Sequence, residues 1–199
     1  QFVFSIQRVK MKFLIFSIIN LTIAQTPCDN IRTRAQWNAA AARSITNLTA
    51  TPIGIVIHHT AGARCTTQAL CDQQLRNVQH QHMNLNNPQY PDIGYHFLVG
   101  DNGVIYEGVG YGLQGTHATG MNLNSIGLSF MGNFMETPPT EHALNAAFEF
   151  IECSRANGYL TPTHWISSHR NSRYSSTVCP GDKLYDIVKN WPGFTTTPN

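Results

Sequence analysis

An odd number of cysteines in a chain that opens with a secretory leader constrains this fold more than any other feature: there are five. In an oxidising compartment four can close two disulfides, and the fifth has to be committed to something else. The leader is read from Met11-Lys12 and the apolar run Phe13 to Ala24, which is too short to span a bilayer and ends in the small residues Thr22 and Ala24. On this reading residues 1–10 lie upstream of the initiator, residues 11–24 form a cleaved signal peptide, and residues 25–199 form one secreted domain.

The cysteine left over is Cys179, in a Cys-Pro-Gly turn a short way beyond His169. A thiolate and two neutral imidazoles are ligands of the softness zinc accepts. Three of them leave the fourth tetrahedral position for water, which separates a catalytic zinc site from a structural one. The turn stands at the expected start of a helix, where the helix dipole and a metal would both favour the thiolate. The remaining four, Cys28, Cys65, Cys71 and Cys153, allow three pairings, and sequence alone does not choose among them. A bridge from Cys28 to Cys153 would close a loop of about 125 residues and stabilise by about 4 to 5 kcal/mol on chain-entropy grounds.

Charge narrows the partners. Loss of residues 1–24 removes Arg8, Lys10 and Lys12 and no acid, so 13 basic and 11 acidic residues become 10 and 11, and the formal net charge goes from +2 to −1. No charge run remains that would recruit nucleic acid or an anionic membrane, and no membrane anchor is expected after cleavage. Asn47-Leu48-Thr49 is a glycosylation acceptor in a secreted chain.

The clearest strand is Ile53-Gly54-Ile55-Val56-Ile57, a β-branched run of the kind buried on both faces, and it delivers His58-His59 at its end. Residues 67–83 carry Ala69, Leu70, Leu75, Val78 and Met83 near helical spacing, with Asn86-Asn87-Pro88 as a stop. A strand over 94–99 and another over 104–106 flank Gly100-Asp101-Asn102-Gly103, a hairpin signal. A further strand is expected over 125–131. A helix from 140 or 141 to 156 has Leu144, Ala147, Phe148 and Ile151 as its stripe, and a last helix beginning at Cys179-Pro180-Gly181-Asp182, with Pro in the first turn, buries Leu184, Ile187 and Val188. Strands interleaved with helices predict an α/β domain, a sheet covered by about three helices.

These residues together resemble the peptidoglycan recognition proteins of animals, short secreted type, and the zinc amidases of bacteriophage behind them. The resemblance runs from about Cys28 to Phe194. It is carried by Arg34-Ala35-Gln36-Trp37, Val56-Ile57-His58-His59-Thr60-Ala61-Gly62, the run from Asp92 through Tyr95 to Gly100, Val104-Ile105-Tyr106-Glu107-Gly108, His117-Ala118, Ser125-Ile126-Gly127, Met131-Gly132-Asn133-Phe134, Ser168-His169-Arg170 and Cys179-Pro180-Gly181. It implies a central mixed sheet with a zinc site at the floor of a surface groove. It implies one catalytic Zn²⁺ on His58, His169 and Cys179, with Tyr95 and Thr177 as catalytic partners. It also implies pairing of Cys65 with Cys71 and of Cys28 with Cys153.

The reaction so implied is hydrolysis of the amide between N-acetylmuramic acid and L-alanine in bacterial peptidoglycan, in innate immunity. His59, Tyr90, His117, Asn122 and Arg173 are candidate contacts to the muropeptide, Arg173 to the extra carboxylate of a diaminopimelate stem. The alternative is a non-catalytic recognition protein that binds peptidoglycan and passes a signal to an immune partner; Cys179 argues against it, because family members without that cysteine bind and do not cut. Three departures stand out. Gln89-Tyr90 replaces the family's Gly-Trp, Val109-Gly110-Tyr111 replaces Arg-Gly-Trp, and the stretch from His169 to Cys179 is about two residues longer than usual.

Overall fold

The computed structural model describes residue 28 and residues 31–198, so the upstream segment 1–10 and the signal peptide 11–24 lie outside the described residues. Strands run over Ile31–Arg32 (β1), Gly54–His59 (β2), Phe97–Val99 (β3), Ile105–Glu107 (β4), Ser125–Phe130 (β5) and Trp165–Ser168 (β6). Helices run over Gln68–His80 (α1), Glu141–Ala156 (α2) and Asp182–Val188 (α3). The strands form one sheet in the order β1-β4-β3-β5-β2-β6. The β3–β4 hairpin is its antiparallel pair, and the other neighbours are parallel. The expected mixed sheet with three helices is therefore present, in a single domain.

Because side chains alternate along a strand, each strand divides its residues between two layers. Ile55 and Ile57 of β2, Ile126, Leu128 and Phe130 of β5 and Phe97 and Val99 of β3 meet Ala143, Ala147, Phe150 and Ile151 of α2 and Leu184 and Val188 of α3 in the larger core. On the opposite face Leu98 and Tyr106 pack with Trp37, Leu75 and the Cys65–Cys71 bridge under α1, and Val56 packs with Ala118, Met121 and Trp165. Both disulfides implied by resemblance are formed, Cys28 to Cys153 and Cys65 to Cys71, and Cys179 is free and buried.

Helix starts follow local chemistry. Thr67 accepts a hydrogen bond from the Leu70 N–H at the head of α1, and Thr140 accepts from the Ala143 N–H at the head of α2. The faces differ from expectation at three points. Ala69 is exposed, Leu70 is 46% exposed and Phe148 is 44% exposed, while Gln79 and Phe150 are buried in their stead. Gln79 is satisfied there, donating to Asp92 Oδ1 at 2.7 Å and accepting from the Ala40 N–H at 2.8 Å. The chain after α1 also continues as a π-helical turn over Gln81–Leu85 before Asn86 turns it extended.

Two further boundaries move. The strand expected over 94–99 is confined to β3, although the carbonyls of Tyr95 and His96 still accept from the amides of Val109 and Gly108. The last helix begins at Asp182, the last residue of its expected start, so Pro180 lies ahead of the first turn, and Ile187 is only half-buried. The short strands β1 and β6 carry no pattern that announces them in the sequence.

Several resembling motifs prove to be frame. Arg34 pairs with Asp92 at 2.9 Å and takes Glu107 Oε2 on its backbone N–H at 3.0 Å, while the Trp37 indole donates to the Glu107 carbonyl at 2.8 Å. These contacts tie the N-terminal segment to the hairpin and to the approach to Tyr95.

Candidate metal centre

The alternation that builds the core also decides between the two adjacent histidines. His59 shares the face of Ile55 and Ile57 and turns its ring toward Phe134, with centroids 6.4 Å apart. His58 shares the face of Val56. Its Nδ1 lies 3.8 Å from Cys179 Sγ, and its ring centroid lies 4.7 Å from that of His169. His169 follows directly from the end of β6, the strand paired with β2 on the side away from β5. One donor atom from each of His58, His169 and Cys179 falls within 4.8 Å of the others. Tetrahedral zinc with ordinary Zn–N and Zn–S bonds separates such donors by roughly 3.6 Å, so the set fits that ion in both chemistry and span. It lies at the C-terminal ends of parallel strands, where open α/β sheets bind their ligands.

Burial sets the protonation states. It holds His58 well below the usual imidazole range, helped by the neighbouring His117 and His169, and it lowers His169 as well. Both rings are therefore neutral at pH 7, the state in which they can bind a metal. Burial also pushes the Cys179 thiol up to about 12, against the opposing pull of the His59 backbone amide and Arg170. This corrects the expectation of a thiolate favoured by its turn: α3 is short and begins three residues later, and the dry setting of the sulfur outweighs it. A cation in the cluster is what would draw that proton off.

Around the cluster, Tyr95 is half-buried and its ring stands 5.2 Å from His58 and 5.4 Å from His82. Burial, with Cys179 nearby, raises its phenol above the ordinary value, so it remains a hydrogen-bond donor. Thr177 Oγ1 accepts from the Cys179 N–H at 3.1 Å. The loop between His169 and Cys179 closes at its base, where the Arg170 N–H meets the Cys179 carbonyl at 2.9 Å and the Arg170 guanidinium bonds the Val178 carbonyl. Within the loop Ser172 is buried, and its Oγ donates to the Thr119 carbonyl at 3.2 Å. The ligands at its two ends stay together.

The other candidates divide. Tyr90 stands 5.2 Å from His82 on the same side as Tyr95, consistent with a groove wall. Arg173 is exposed, its guanidinium 5.6 Å from the Tyr174 ring, and it lines a cavity of about 360 Å³ with Gly120, Asn171 and Thr196 that none of the three ligands lines. His117 is buried against His58. The Asn122 side-chain oxygen is taken by the N–H groups of His117 and Ala118, at 2.9 and 2.8 Å, so it shapes the loop. His59 acts through its backbone, donating to Cys179 Sγ at 3.4 Å, while its side chain is turned away.

Two features of the site are not announced by the sequence pattern. His82 accepts from the Gly94 N–H at 2.9 Å and wedges between the two tyrosines; its spacing from Leu75 and Gln79 is the helical signal that could have found it. The second is Ser125, Gly127 and Ser129 of β5, whose small side chains leave room above the sheet, occupied over Gly127 by the His117 ring.

A sequence profile described as N-acetylmuramoyl-L-alanine amidase matches residues 48–182. The chain is 38% identical over 185 residues to peptidoglycan recognition protein 1 of Bos indicus, covering 92% of this chain and 95% of that protein. Among solved structures, human PGRP-IBETAC in complex with glycosamyl muramyl pentapeptide superposes with a TM-score of 0.79 at 36% identity, covering 84% of this chain and 99% of the other. Wild-type Drosophila PGRP-LB gives a TM-score of 0.79 at 30% identity, covering 83% and 96%.

Proposed function

The chain belongs to the peptidoglycan recognition protein family, and from that premise we propose that it is a secreted zinc-dependent N-acetylmuramoyl-L-alanine amidase. It would bind bacterial peptidoglycan and cut the amide between N-acetylmuramic acid and L-alanine. The observation that carries this reading is the convergence of His58, His169 and Cys179 within 4.8 Å, from three separate parts of the chain. A recognition surface alone has no need of a buried thiol between two neutral imidazoles. Secretion is supported by two disulfides and by the leader reading, and among the described residues no helix is long and apolar enough to cross a membrane.

A zinc ion on these ligands would supply a Lewis acid for the scissile carbonyl and a water acidified toward neutrality. The chain's own residues do the rest. The protonated Tyr95 phenol donates to the oxygen on which negative charge develops as the amide is attacked, a contact stronger in the transition state than in the substrate. Thr177 Oγ1 accepts from the Cys179 N–H and so has its own proton to donate. Tyr90 and His82 wall the approach, and Arg173 is proposed to pair with the extra carboxylate of a diaminopimelate stem. Unchanged stem selectivity in Arg173→Ala would remove that last role.

The test is release of soluble peptide from purified peptidoglycan, with mass spectrometry for a free L-alanine amino terminus, in the presence of chelator and after zinc add-back. Zinc-restorable cleavage at that bond is the expected result. Binding without cleavage in the zinc-loaded protein would make it a recognition protein.

A further inference from the structure

Resting on the zinc reading above, we infer that His117 is a positioning residue of the metal centre: its Nδ1 accepts the N–H of His58 Nε2 and thereby aims the bare Nδ1 of His58 at the cluster. The two ring nitrogens of His58 face different partners. Nδ1 lies 3.8 Å from Cys179 Sγ, and Nε2 lies 3.0 Å from His117 Nδ1. A neutral imidazole has one N–H, and the nitrogen that binds a metal must be the one without it. The proton of His58 therefore sits on Nε2, and the group 3.0 Å away has to accept it. That fixes His117 in turn, with Nδ1 bare and its own proton on Nε2.

The surroundings of His117 are built to hold it in that pose. Its ring lies on the bare face of Gly127, where a Cβ would come within 2.5 Å of Cγ, and beside Gly115, where a Cβ would come within 2.9 Å of Cδ2. Its backbone N–H is held by Asn122 at 2.9 Å. It meets His58 edge-on, at 5.1 Å and 89°. The residue is only 7% exposed; its Nδ1 is occupied by His58 while its Nε2 finds no hydrogen-bond partner among the described residues, so the side-chain contact the ring makes here is to the metal ligand. Outer partners of this kind fix the tautomer and orientation of metal-bound histidines.

The experiment is zinc affinity of the purified chain, by competition with a fluorescent chelator, together with the visible spectrum of the cobalt-loaded protein. Three variants separate the explanations. His117→Ala removes the acceptor, His117→Asn places an oxygen near the position of Nδ1, and His117→Gln keeps bulk but carries its oxygen one atom further out. Zinc affinity is expected to fall roughly 10- to 100-fold in His117→Ala, to fall similarly in His117→Gln, and to recover in His117→Asn with a cobalt spectrum like that of the unchanged protein. Unchanged zinc affinity and cobalt spectrum in His117→Ala, with weakened muropeptide binding, would make His117 a substrate contact and overturn the inference. Equal weakness in the Asn and Ala variants would also overturn it, since the hydrogen bond would then not be what the site uses. Failure of the unchanged protein to bind zinc would instead sink the amidase reading itself.

Discussion

On one face of the sheet β5 presents Ile126, Leu128 and Phe130, and on the other it presents Ser125, Gly127 and Ser129. The first set is buried among α2 and α3 and fills the larger core. The second is equally buried yet fills little space, and over Gly127 the room is taken by the ring of His117. The paired strand repeats the division: Ile55 and Ile57 on the core face, Val56 and His58 on the other, in register with Gly127 and Ser129. Stability and chemistry are thus separated by a two-residue period within single strands. A substitution on one face should change the folding free energy, and one on the other should change metal binding or catalysis.

The largest effect expected from the polar side is at Cys179. Cys179→Ser removes the thiolate, and cleavage of purified peptidoglycan should fall by roughly 10³-fold or more, while binding in a pull-down is largely retained. Equal loss of binding and cutting would mean that the cluster organises the groove, and the separation would fail there. Its counterpart on the core face is Leu128→Ala, which should cost about 2 to 5 kcal/mol in urea unfolding and leave zinc affinity per folded molecule unchanged. A large loss of zinc affinity in that variant would show that the two faces are coupled.

Much of this division is legible in the amino-acid sequence, and the exceptions are instructive. The β-branched run before His58-His59 announces a buried strand delivering ligands to its end, and an unpaired cysteine announces where the third ligand lies. The residues themselves do not decide between His58 and His59, because that choice depends on which face of β2 meets the groove, a tertiary fact. Residue type puts Leu70 and Phe148 in the helix stripes, whereas the helical period places Gln79 and Phe150 inward. The polar Gln79 is legible only through its partner Asp92, far along the chain. β1 and β6 are too short to announce themselves, and β6 includes two serines that dilute its pattern. The serine and glycine alternation of β5 is in plain view, but small residues look like weak strand formers until something is seen to occupy the space above them.

Acid should sharpen the comparison next. His96 stands on the polar side, 1% exposed, accepting from the Gly127 N–H at 2.9 Å and donating to the Leu113 carbonyl at 2.9 Å. Burial lowers its pKa to about 4, and His59 on the other face is lowered to about 4 for the same reason. Between pH 6.5 and 4 the unfolded chain takes up protons that these folded rings refuse. Their contribution is complete above pH 6.5 and is lost as the pH falls toward 4. For His96 alone the span is on the order of 3 kcal/mol. Urea unfolding at about pH 7 and about pH 4.5 measures it, and a stability unchanged between the two would contradict the assignment of buried neutral rings.

The smallest change tests the separation most closely. Gly127→Ala adds one carbon to the polar face, where it would meet the His117 ring at 2.5 Å. Relief requires His117 to move, and overpacking of this kind costs about 1 to 3 kcal/mol. Leu128→Ala, one residue along, can cost as much on the other face, so unfolding alone does not distinguish the two positions. Zinc competition does. If the faces are separate, Gly127→Ala weakens zinc in proportion to the displacement of His117 while Leu128→Ala leaves it alone. If both variants weaken it equally, the strand transmits strain through its backbone, and the two-residue period divides the side chains without dividing their consequences.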